Sequence, residues 1–145
     1  MIKIICVGKI KEEYLNNLIN DYKYRISKYH KIEIIEIKDS NIINESKEIN
    51  NILNEKEYNI CLDIKGEMLS STDLSHLIEQ KFTQAYKAIT FIIGGSDGIA
   101  DEIKNKCNKK ISFSHLTFPH GLFRGILLEQ IYRSFKILSN ETYHK

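Results

Sequence analysis

Five short apolar runs punctuate this 145-residue chain, and a segment of helical spacing follows each of them. The runs are Ile2–Val7, Ile32–Ile37, Tyr58–Leu62, Ala88–Ile93 and Ile111–Phe113, dominated by isoleucine and other strand-favouring residues. Helical patterns occupy residues 11–29, 45–56, 73–87, 99–107 and 119–138. Such β-α alternation demands parallel pairing through right-handed crossovers, and so an α/β layered domain. Lys65–Ser71 reads as a loop, with Ser71 or Thr72 as the cap of the helix that follows. No linker, repeat or second composition interrupts the pattern, so residues 1–145 are expected to form one domain.

Composition narrows the class further. Hydrophobic residues make up 42% and charged residues 28%, which is globular rather than disordered. No apolar run reaches the roughly 20 residues of a membrane helix, and the start, Met1–Gly8, lacks the features of a secretory signal. Cys6, Cys61 and Cys107 are odd in number and carry no Cys-x-x-Cys spacing. A disulfide framework is not expected, and a reducing cytoplasm is. The histidines, at 30, 76, 115, 120 and 144, show no metal-ligand spacing, so no metal is expected. Net charge is +2, but residues 73–145 carry 10 basic and 7 acidic side chains, a mild bias towards a polyanion partner.

In open parallel sheets ligands bind beyond the carboxyl ends of the strands, which directs attention to four loops. Gly8-Lys9 follows the first strand, and the acidic pair of a phosphorelay receiver is missing there. Asp63 at the end of the third strand therefore reads as a structural residue that caps the loop or pairs with a nearby lysine. Gly94–Gly98 ends the most strand-like run. It reads either as a tight strand-to-helix turn or as a place where backbone approaches a ligand. It matches neither the dinucleotide fingerprint nor the phosphate loop of nucleotide hydrolases. The loop over residues 112–120 is apolar for a loop, and is either tucked under the last helix or a wall for an aromatic ligand.

The last helix has apolar residues around more than one face, among them Leu122, Phe123, Ile126, Ile131 and Phe135, which suggests a dimer interface. Glu129 and Arg133 are placed to pair at i,i+4. Arg124, one of three arginines, is either a solvated charge or an anion contact. The tail Asn140–Lys145 is either frayed or lends Tyr143 and His144 to a site.

Several phrases together carry a resemblance that spans nearly the whole chain. They are Cys61–Ser71 (CLDIKGEMLSS), Phe91–Gly98 (FIIGGSDG), Leu116–His120 (LTFPH), Leu128–Arg133 (LEQIYR) and Tyr143–Lys145 (YHK). In order and spacing they resemble the SPOUT-class methyltransferases that act on pseudouridine in bacterial 23S ribosomal RNA. The resemblance implies a three-layer α/β fold whose parallel sheet carries a C-terminal trefoil knot. It implies S-adenosylmethionine as cofactor, held by Leu62, Gly94 and the stretch Phe113, Ser114, His115, Leu116, Thr117 and Phe118. It implies a homodimer through the last helix, and methylation of N3 of a pseudouridine in helix 69 of 23S rRNA on the assembled ribosome. His144 and Tyr143 are then expected at the target base, and Lys145 and Arg124 on phosphate.

Two departures from the family pattern stand out. Gly121 and Gly125 occupy the start of the last helix, where each costs about 1 kcal/mol against Ala and would loosen that helix, and the region around residues 39–53 is short. Two other readings remain from sequence: a non-catalytic ribosome-binding homologue of that fold, and a small doubly wound nucleotide-binding protein.

Overall fold

The computed structural model describes all residues from Met1 to Lys145. The chain alternates β1 (Ile2–Val7), α1 (Glu13–Ser27), β2 (Ile32–Ile37), α2 (Ile42–Ile52), β3 (Tyr58–Met68), α3 (Ser71–Thr83), β4 (Ile89–Ile93), α4 (Asp101–Lys106), β5 (Lys109–Ser112) and α5 (His120–Leu138). All pairings are parallel and the strand order is β2-β1-β4-β3-β5. Ile4 of β1 stands between Ile34 of β2 and Phe91 of β4, the central strand.

Side-chain alternation along the strands divides the core in two. Ile2, Ile4, Cys6, Ile60, Ile89 and Phe91 join residues of α1, α3 and α5 on one face. Ile5, Val7, Cys61 and Ile92 join Ile49 of α2 and Ile103 of α4 on the other. Two helical layers thus enclose the sheet, which explains why its strands read as continuous apolar runs.

Local rules account for most element ends. The α2 helix begins three residues earlier than its apolar stripe suggests, because the Asn41 side chain accepts the Asn44 N–H at 2.9 Å. The cap of α3 is Ser70, not Ser71 or Thr72. Ser70 Oγ accepts from Asp73 N at 3.0 Å, and Asp73 returns a bond to Ser70 N at 3.1 Å. Those bonds to Ser70 hold the Asp73 carboxyl below its ordinary range.

The expected loop after Leu62 is instead a continuation of β3. The strand shifts register and pairs again, so that Leu62 and Glu67 both stand opposite Ile111 of β5. Gly66 makes this wrap around β5 possible, since a Cβ there would lie 2.7 Å from the Ile111 nitrogen.

The α5 helix packs between α1 and α3. Gly121 and Gly125 are not loosening defects. A Cβ at Gly121 would lie 2.8 Å from Leu15 Cδ1, and one at Gly125 2.7 Å from Leu18 Cδ2. Both glycines let α1 seat closely against α5.

Candidate functional site

A cavity of about 420 Å³ opens beyond the carboxyl ends of β3, β4 and β5, floored by Leu62, Ile93 and Ile111. That volume falls in the range of small-molecule sites. One wall is the turn Gly94–Gly98, closed by the Gly98 N–H donating to the Gly95 carbonyl at 3.0 Å. Gly98 has φ +78°, and a Cβ at Gly94 would lie 2.5 Å from the Gly98 oxygen, so neither position accepts a side chain without distortion. Gly95 and Gly98 face each other in an isolated antiparallel bridge, whereas the N–H groups of Ser96 and Asp97 have no acceptor within the chain and are free to bond a ligand.

The opposite wall is the apolar loop. Phe123 of α5 holds it from behind, with ring centroids 5.4 Å from Phe113 and 6.1 Å from Phe118. The Ser112 hydroxyl donates to the Ser114 carbonyl at 3.1 Å, and Ser114 Oγ accepts the Leu116 N–H at 2.9 Å, which fixes the bend. The loop is thus a wall and not a plug beneath the helix. Leu116 is 72% exposed at its tip.

Two carboxylates and one ammonium line the cavity, and Asp97 belongs to none of the chain's ion pairs. Asp63 pairs with Lys104 at 3.3 Å, the second of the two structural roles its strand-end position allows, and its Oδ1 also accepts the Lys65 N–H at 3.4 Å. An apolar floor, aromatic backing, free amide donors and a neutralised ion pair suit a ligand with a flat heteroaromatic part and a polar tail.

Of the residues expected to hold the donor, Leu62, Gly94, Phe113, Ser114, Leu116, Thr117 and Phe118 line this cavity. His115 is exposed and does not. Phe123, Lys104 and Glu45 are parts of the arrangement that residue types alone did not mark. Glu45 reads as an ordinary polar helix position in the sequence, yet it is buried against Gly95.

Arg124 does not serve as a surface phosphate contact. It is 4% exposed, pairs through Nη1 with Glu36 at 2.7 Å and donates through Nη2 to the Gly8 carbonyl at 3.1 Å. It ties α5 to the ends of β1 and β2, contacts 116 and 88 residues away in sequence. Cys6 lies in the same buried region, and desolvation pushes its thiol up to about 11, so it stays protonated.

The tail is pinned rather than frayed. Glu141 accepts from Tyr29 and Lys136, each at 2.6 Å, which holds its carboxyl below the ordinary range. Tyr143 packs edge-on to Tyr132 with centroids 5.0 Å apart and donates to Glu129 Oε1 at 3.1 Å. Burial above all raises the Tyr143 phenol, with Tyr22 and Glu129 adding to it. Arg133 meets Glu129 through two nitrogens at 3.0 and 2.6 Å and reaches His144 Nδ1 at 3.1 Å. A guanidinium only donates, so Nδ1 accepts and the imidazole proton sits on Nε2. His144 and Lys145 are exposed.

Cavity and tail are separate within one chain. Phe123 backs the cavity and Arg133 pins the tail, ten residues or about 15 Å apart along α5. No three His, Cys, Asp or Glu side chains converge as a metal site would require, and no helix is long and apolar enough to cross a membrane.

Comparison with known proteins adds names to this geometry. The model of the family described as "Predicted SPOUT methyltransferase" matches residues 1–144. Ribosomal RNA large subunit methyltransferase H of Clostridium botulinum (strain Okra / Type B1) is 45% identical over 157 aligned residues, covering 99% of each chain. Its namesake from Caldicellulosiruptor saccharolyticus is 44% identical over 155, covering both chains completely. The crystal structure of the SpoU methyltransferase AviRb from Streptomyces viridochromogenes in complex with the cofactor AdoMet superposes with a TM-score of 0.52 at 7% identity. That match covers 92% of this chain and 57% of the other, and it shows a shared fold.

Proposed function

The chain belongs to the SPOUT methyltransferase family, and from that premise we propose that it transfers a methyl group from S-adenosylmethionine to 23S ribosomal RNA, at N3 of a pseudouridine in helix 69 of the assembled ribosome. The cavity carries the reading: the residues that resemblance assigns to the donor, His115 apart, come together there from three strand ends and the apolar loop. Bound there, S-adenosylmethionine supplies an electrophilic methyl group on a sulfonium.

The chain's own part is binding and alignment. The aromatic-backed loop offers Phe113 and Phe118 to the adenine, and the free N–H groups of the glycine turn offer donors to its polar groups. The target N3 releases its proton to solvent water ahead of the methyl, and the negative charge left on the ring spreads to the flanking carbonyl oxygens. His144, with its proton on Nε2, is a donor suited to one of those oxygens. Tyr143 orients the tail, and Lys145 meets phosphate. Arg124 has no such role, being spent on Glu36 and Gly8.

Because the tail lies about 15 Å along α5 from the cavity of its own chain, a homodimer is part of the reading. Two α5 helices packed through Leu122 and Ile126, which are exposed and half-buried, would bring the tail of one copy to the cavity of the other. A net charge of +2 gives little non-specific affinity for naked RNA, so the ribosome itself supplies recognition. The reaction then takes place in the cytoplasm, where ribosomes are.

The deciding experiment is transfer of labelled methyl from S-adenosylmethionine to ribosomes from a strain lacking the modification. Label on one pseudouridine of helix 69 is expected. Unlabelled ribosomes from a folded, donor-binding chain would overturn the reading, and equal labelling of short naked RNA would overturn the ribosome requirement.

A further inference from the structure

Glu45 places a buried negative charge behind the glycine turn, with no cation beside it. Its side chain lies at the start of α2 and is 4% exposed. Oε2 accepts the Ser40 N–H at 2.8 Å. None of the ion pairs in the chain includes Glu45. Oε1 faces the other way, so close to Gly95 that a Cβ built there would stand 2.9 Å from it. Gly95 is also a wall of the cavity. A single residue without a side chain therefore separates the carboxylate from whatever the cavity holds.

The N-terminus of α2 and one amide stabilise this anion without neutralising it. Poorly solvated charge of this kind acts over several ångströms, because the protein between screens it far less than water does. A cation in the cavity gains from it and a neutral ligand does not.

Resting on the methyl-transfer reading, we propose that Glu45 is a specificity-determining residue that makes the cavity prefer the sulfonium donor over its thioether product. Transfer moves the methyl to N3, the N3 proton passes to solvent water, and the sulfur keeps the electron pair of the broken S–CH3 bond and loses its positive charge. The attraction to Glu45 is lost in the same step. The carboxylate therefore favours exchange of the spent cofactor for a fresh one while touching neither.

Calorimetric titration of the full chain with S-adenosylmethionine and S-adenosylhomocysteine tests this. Glu45→Gln keeps the shape and the acceptor for Ser40, and is expected to lose about five- to tenfold in affinity for the cation. Its affinity for the thioether should change less than about twofold. Glu45→Asp keeps the charge and is expected to keep the preference. Equal losses for both ligands, or no loss for either, overturn the proposal, because a merely structural role acts on both alike. Should Glu45→Gln fail to fold, the wild type decides: it must bind S-adenosylmethionine and the amine analogue sinefungin, both cationic at that position, more tightly than the thioether, and the reverse order overturns the proposal. A folded wild type that binds none of the three overturns the methyl-transfer reading instead.

Discussion

Arg133 reaches Nδ1 of His144 at 3.1 Å while its other nitrogens grip Glu129. One guanidinium thereby fixes both the position of the imidazole and the nitrogen that carries its proton. Arg133→Lys cannot serve both partners, since an ammonium lacks the planar fork. It is expected to reduce methylation of ribosomes by about 10- to 100-fold while leaving affinity for S-adenosylmethionine unchanged. Single-turnover rates alongside calorimetry check this, and parallel loss of binding would contradict it.

Gly94→Ala is expected to damage the cavity and the fold together. The added methyl would lie 2.5 Å from the Gly98 oxygen and 2.6 Å from its carbonyl carbon, and backbone of this kind cannot swing aside. Overpacking of this sort costs about 1–3 kcal/mol. Denaturant melts should show that loss, and titration should show donor affinity falling at least tenfold (about 1.4 kcal/mol).

Arg124→Ala separates a structural arginine from an RNA contact. The bonds to Gly8 and Glu36 vanish, at a cost of about 1–3 kcal/mol in stability. Glu36 is partly exposed and can be hydrated, so no stranded charge adds to the cost. Ribosome affinity should keep its salt dependence, because no phosphate contact is removed. A shallower salt slope in the variant would contradict the buried assignment.

His30 makes stability depend on pH. Its ring stacks on Phe82 at 4.2 Å and on Phe135 at 5.3 Å. Burial, helped by the N-terminal ammonium, lowers its folded pKa below the ordinary 6.5. The unfolded chain therefore binds the proton more readily, and stability falls as pH drops below about 6.5. Melting temperatures between pH 7.5 and 5.5 should decline in the wild type, and His30→Gln should flatten that decline.

The sequence was legible where neighbours along the chain decide the outcome. Ile2–Val7 and Ile32–Ile37 end where their apolar runs end. The glycine turn and the apolar loop were legible because they follow strands, and strand ends in a parallel sheet share one edge. What escaped depends on partners far away in sequence. β3 continues past Leu62 only because Ile111 of β5 lies beside it. Arg124 is buried because Glu36 and Gly8 await it. Ser70 caps α3 ahead of Ser71 because Asp73 completes a reciprocal pair of bonds.

The cavity borrows part of its floor from β3 and β4 but the rest of that floor and the far wall from residues 111–123. A nascent chain halted before that segment owns the glycine turn and nothing to face it. Ligand retention consequently reports on a finished molecule, and a pulse of labelled donor during synthesis would mark the moment the last helix seats.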